Sequence, residues 1–173
     1  MKKGLIASLT LLVTLSFAFL IPSLVSAAEI VPASCTAGNP VPLVPGDLTI
    51  TPSGIYQFRD WGFFRTAAIL TIDGTNYNVY SVNTFDATYN PSTKVIVMHY
   101  DAIWYVGDGH SASDNGFKGN IEMRLLGYNL VTSVTSDIHA TFQGFGSFEG
   151  QTMVLSYEGP SATQVFTGVD IIR

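Results

Sequence analysis

Lys94-Val-Ile-Val-Met-His-Tyr-Asp-Ala-Ile-Trp-Tyr-Val106 is the stretch whose reading decides the fold. Ile96, Met98, Tyr100, Ala102, Trp104 and Val106 fall on one side of a period-two pattern and carry no charge, while His99 and Asp101 sit among Val95, Val97, Ile103 and Tyr105 on the other. A chain that alternates in this way is a strand with one face in a core and one in water. The uncharged face is the core face.

The same alternation recurs on both sides. Downstream, Phe117 to Leu126 sets Phe117, Gly119, Ile121, Met123 and Leu125 against Lys118, Asn120, Glu122 and Arg124. Asp137 to Phe145 sets Ile138, Ala140 and Phe142 against Asp137, His139, Thr141 and Gln143, and Gln151 to Tyr157 and Gln164 to Ile172 complete the series. Upstream, Ala68 to Ile72 and Asn76 to Asn83 flank Asp73-Gly74, a strong two-residue hairpin signal. Thr84 to Tyr89 is a further run, ended by Asn90-Pro91-Ser92-Thr93, whose proline presets a turn. Gly107 to Gly116 holds only small and polar residues and is expected as an exposed, flexible mouth loop. No segment carries a 3.6-residue apolar stripe. The expectation is an all-β domain of about eight strands, an antiparallel β-barrel with a two-sheet β-sandwich as the alternative.

The N-terminal region reads differently. Lys2 and Lys3 precede an apolar core from about Leu5 to Ile21, then Pro22 and the small residues Val25-Ser26-Ala27-Ala28, the pattern of a secretory signal cleaved after Ala27. The expected organisation is a signal peptide over 1–27, a Pro/Gly-rich extended leader over 28–46 and a single barrel domain over 47–173, with Asp47 to Thr51 able to pair as a first short strand. The expected location is secreted or extracytoplasmic, with no stable membrane span in the mature form. Cys35 lies in a weak lipobox context because Pro32 and the charged Glu29 separate it from the apolar core.

Composition excludes several classes. Eight basic against thirteen acidic residues in 173 give a net charge of -5, which disfavours nucleic acid as a partner. A single cysteine supplies neither an internal disulfide nor a thiolate metal site. No phosphate-loop, His-Glu-x-x-His or Gly-x-Ser-x-Gly motif occurs, so no cofactor is indicated and hydrolase chemistry has no support. His99, His110 and His139 with Asp101, Asp108 and Asp137 do not have metal-ligand spacing, and the expectation there is a solvent-facing polar row with no metal.

The residues Gly144-Phe-Gly-Ser-Phe-Glu-Gly-Gln151 resemble the Gly-x-Gly-x-Phe-x-Gly hairpin late in the barrel of allene oxide cyclases and related dirigent-like proteins. The resemblance covers about eight residues and implies an eight-stranded antiparallel barrel in which Gly144, Gly146 and Gly150 serve the turn and Phe148 the core. It carries over no catalytic residue, and Met153-Val-Leu-Ser-Tyr157 replaces the small-residue continuation of that family. Phe148 is expected to plug the barrel, with Glu149 in water.

The inward aromatic and sulfur-bearing residues Met98, Tyr100, Trp104, Met123 and Phe142 are the candidate ligand-binding set. Such side chains bind apolar molecules if they line a cavity, and merely pack if they fill it. The expected function is therefore non-catalytic binding of a small, largely apolar ligand, or of an extracellular partner. The alternative is an isomerase, cyclase or dirigent-like protein that confines a reactive intermediate. Either is compatible with a homo-oligomer.

Overall fold

The structure is a computed structural model, and it describes residues 27–36, 39–40, 43–128, 135–160 and 165–173. The signal segment expected over 1–27 lies outside the described residues apart from Ala27. The described strands are β1 (Glu29–Thr36), β2 (Asn39–Pro40), β3 (Asp47–Ile50), β4 (Tyr56–Ile72), β5 (Thr75–Asn90), β6 (Val95–Gly107), β7 (Gly116–Leu126), β8 (Thr135–Phe145), β9 (Gln151–Pro160) and β10 (Val165–Ile172), with one 3-10 turn at Gly146–Phe148. From β4 to β10 each strand pairs antiparallel with the next. β1 then pairs with both β10 and β4, so eight strands form a closed antiparallel barrel and the sandwich alternative is excluded.

The closing strand comes from the segment read in sequence as a leader outside the domain. Val31, Ala33 and Cys35 of β1 point inward and are buried. Its proline is accommodated by geometry. In an antiparallel strand the N–H and C=O of one residue point to the same side, and the Pro32 carbonyl accepts from Asp73 N at 2.9 Å in the β4–β5 turn. The missing N–H of Pro32 therefore faces the turn and not a ladder, since pairing of β1 with β4 begins at Ala33. Beyond β1, β2, an isolated bridge from Val44 to Gly62, and β3 continue along the same edge of β4.

β4 and β5 are much longer than the periodic runs that announce them. The Asp73-Gly74 hairpin forms as expected, with φ of 46° and 75° at its two residues. Tyr56 to Ala67, which shows no readable alternation, is also strand. Two β-bulges explain this: the register slips between Phe58 and Trp61 and again between Arg65 and Ala68. Asp60 and Ala67 take positive φ of 56° and 55° at these slips. Each extra residue reverses the inward parity, so Phe58 is followed inward by Trp61, Phe63 and Arg65, and then by Ala68, Leu70 and Ile72. The bulges are tied down from outside β4, Asp60 N donating to Asp86 Oδ1 at 3.0 Å and Ala67 N to Gly109 O at 2.9 Å.

Turns 73–74, 107–116 and 146–150 gather at one end of the barrel, which is closed by aromatics. Phe148 is buried and meets Phe117 at 4.9 Å and Tyr77 at 5.4 Å between ring centroids, while Glu149 is exposed. Asn115 Oδ1 accepts from Ser147 N and Oγ at 2.8 and 2.9 Å, pinning the 3-10 turn to loop 107–116. That loop is exposed over most of its length as expected, with Gly109 buried, but it lies at the closed end, so the expectation that it borders a mouth is corrected. Gly146 opens the turn at φ +65°, and a Cβ on Gly144 would collide with the Phe148 carbonyl. Gly144→Val should therefore lower unfolding free energy in urea by more than about 2 kcal/mol. Gly62→Val should cost less, since its φ is not in the positive region and its nearest neighbour is Asn83 O at 3.5 Å. Equal losses would contradict the close approach at Gly144.

One core residue is out of character. Asp170 of β10 is fully buried and neither carboxylate oxygen has a partner of hydrogen-bond geometry among the described residues. Burial pushes its carboxyl above the ordinary carboxylate range, and the Ile171 N–H, which approaches without meeting that geometry, pulls it back in part. A folded-state pKa above the unfolded one means the folded chain holds the extra proton, so this contribution is complete below the unfolded pKa and is lost as pH rises through the folded one. Stability measured by urea denaturation across the acid-to-neutral range should carry that fall in the wild type, and Asp170→Asn should flatten it.

Candidate functional site

The barrel interior holds two adjoining cavities. The inner one, about 60 Å³, is lined by residues that include Cys35, Ser81, Asn83, Trp104, Met123 and Phe166. The outer one, about 320 Å³ and partly open, is lined by residues that include Leu43, Phe58, Trp61, Phe85, Met98 and Tyr128. It lies toward the end where β5 finishes and β6 begins, away from the Phe148 plug. Phe63, Arg65 and Tyr100 line both and form a belt between them.

Each side chain of the belt is placed by register. Arg65 is paired with Ser81 and Phe63 with Asn83, both buried polar residues on the inward face of β5. Asn83 Nδ2 donates to Ser81 Oγ at 3.0 Å and to Phe63 O at 3.4 Å, so these polar groups are satisfied. The Arg65 guanidinium stands 5.3 Å from the centroid of the Phe63 ring, a cation–π arrangement. Burial lowers its pKa from the ordinary arginine value, yet a guanidinium keeps its charge in proteins.

Tyr100 is the centre of the predicted set. Its hydroxyl donates to Met98 Sδ at 3.1 Å and approaches Met123 Sδ at 3.7 Å, so three of the five expected residues meet at one atom. Burial raises its phenol pKa, which keeps it a proton donor at all ordinary pH. The other two predicted residues, Trp104 and Phe142, pack on each other at 4.3 Å. Trp104 lines the inner cavity. Phe142 does not line either cavity and is wholly buried, so its part is packing beneath the floor.

Sequence reading missed Trp61, Phe63 and Arg65 as inward residues because the two bulges scramble the alternation of β4. It also missed Cys35, since β1 was not read as wall. The thiol is buried, donates to Thr36 O at 3.5 Å, and is pushed up to about 12 by burial. Cys35 should therefore resist a thiol reagent in the native protein even at mildly alkaline pH and react once the chain is unfolded in guanidinium. Stoichiometric labelling of the native protein would contradict this placement.

On the outer face, Glu122 of β7 stands in register between His99 and His139. His99 Nδ1 is 3.8 Å from Glu122 Oε1, and His139 Nε2 is 3.2 Å from Asp137 Oδ1, all on exposed side chains. No group of three or more His, Cys, Asp or Glu residues among the described ones is arranged to hold a metal ion. In loop 107–116 the Asp108 carboxylate is held below its ordinary pKa by the backbone N–H of His110, with help from Ser111. Among the described residues, no helix is long and apolar enough to cross a membrane.

The fold and the site together define a closed antiparallel β-barrel with a partly open, aromatic-walled interior. Comparison with protein-family models, curated protein sequences and solved structures finds no match.

Proposed function

We propose that this protein binds a small, largely apolar molecule inside its barrel and does so without catalysis. The observation that carries the reading is the 320 Å³ outer cavity, walled by Phe58, Trp61, Phe63, Phe85 and Met98, in a barrel whose opposite end is plugged. Pockets for small molecules are commonly a few hundred Å³, mostly apolar, with a few placed polar groups. The belt of Phe63, Arg65 and Tyr100 supplies such groups at the inner end of the cavity. A secreted setting is part of this proposal: it rests on Lys2-Lys3, the apolar run after them and Val25-Ser26-Ala27, and cleavage after Ala27 leaves β1 whole.

The inward polar groups also favour a second reading, in which the barrel confines a reactive intermediate in the dirigent or allene-oxide-cyclase manner. Tyr100 is then the proton donor and Arg65 the electrostatic partner of a developing negative charge. Turnover abolished by Tyr100→Phe with binding retained would favour it over the binding module.

The chain's two tryptophans, Trp61 and Trp104, line the outer and inner cavities respectively, so their fluorescence reads occupancy directly. Titration with medium-chain alcohols and simple arenes should give a saturable change. Ala87→Trp, which fills the outer cavity from a buried wall position, should abolish that response while leaving far-ultraviolet dichroism intact. No saturable response from any member of the series would overturn the reading.

A further inference from the structure

We propose that the ligand carries one anionic group, a carboxylate on an apolar body, and that Arg65 receives it at the belt between the two cavities. The proposal rests on the binding reading above and specifies its ligand class.

The first ground is the charge of the lining. Arg65 is the one formally charged side chain among the described residues that line either cavity. All thirteen Asp and Glu residues of the chain lie within the described residues, and none of them lines either cavity. Arg65 is not without a partner in the protein, and a guanidinium keeps its charge whatever its donors meet. A cation in an apolar, partly desolvated chamber favours an anion there and disfavours a second cation, because the low local dielectric strengthens both effects.

The second ground is how the charge comes to be inside. With unbroken alternation through Ala68, Leu70 and Ile72, the inward residues of β4 would be Thr66 and Phe64, and Arg65 would face water. The slip between Arg65 and Ala68 reverses this, at the cost of a positive φ of 55° on a β-carbon-bearing residue, Ala67. A residue of neutral side chain at position 65 would pack the same chamber without the desolvation of a guanidinium.

The third ground is the company at the belt. The Tyr100 hydroxyl donates to Met98 Sδ, a weak acceptor that a carboxylate oxygen would readily displace. Phe63 covers a face of the guanidinium, and a planar carboxylate matches the geometry of a guanidinium edge. The aromatic wall of the outer cavity then takes the apolar body.

Calorimetric titration of the intact protein with decanoate, decanol and decylamine, below their aggregation limits, tests this. Decanoate should bind at least about tenfold more tightly than decanol, with decylamine weakest. Arg65→Met should abolish the preference for decanoate while retaining decanol binding. Arg65→Lys, which keeps the charge, should retain part of the preference and serves as the second variant if Arg65→Met does not fold. Equal affinities for decanoate and decanol in the wild type would overturn the anion assignment and leave the binding reading standing. Failure of all three to bind would overturn both. A preference for decanoate that survives in both variants would also overturn the role of Arg65.

Discussion

Closure of the wall by β1 is the constraint on which the rest of the molecule depends. Eight residues, Glu29–Thr36, satisfy the outer edge of β10 along their whole length and that of β4 along half of it. Without them two long edges would present unpaired N–H and C=O groups, and the inward faces of β4 and β10 would lose Val31, Ala33 and Cys35 as neighbours. A barrel has no interior until it is closed, so both cavities exist because of this strand. Cys35, buried and raised in pKa, is a consequence of the closure, since β1 contributes it, with Thr36, to the inner cavity.

The two bulges of β4 do for the site what β1 does for the wall. A strand of seventeen residues with regular alternation would send a single set of side chains inward over its whole length. The slips at Asp60 and Ala67 divide it into three stretches of alternating parity. The middle stretch delivers Trp61, Phe63 and Arg65, which bring aromatic surface and a cation to the upper half of the barrel. The last stretch delivers Ala68, Leu70 and Ile72 to the tightly packed lower half. Division of the interior into a packed floor and a partly open chamber follows from this change of parity, together with the aromatic cluster of Trp104, Phe142, Phe117 and Phe148 below the belt.

Polar groups inside the barrel are handled in two ways. Ser81 and Asn83 are small, paired with each other and close to a backbone carbonyl, so their burial costs little. Asp170 is buried where neither oxygen meets hydrogen-bond geometry among the described residues, and that burial favours its protonated form. Arg65 cannot take that route, since a guanidinium does not surrender its charge, and it lines both interior cavities.

Several features were determined by the sequence alone. The alternation of β6, β7 and β8, the Asp73-Gly74 hairpin and the glycine-rich 144–150 turn with Phe148 as plug could be read from residue order, because a strand's side-chain period and a turn's need for positive φ are local properties. They also placed Met98, Tyr100 and Met123 on one inward face. Tertiary structure decided the remainder. Whether Pro32 could lie in a wall strand depended on which strand end its nitrogen faced, and whether Arg65 pointed in or out depended on two one-residue slips against β5 held by Asp86 and Gly109. Those partners are 26 and 42 positions away in the chain, so no local pattern could reveal them, and the cavity's charge is for that reason a property of the folded barrel.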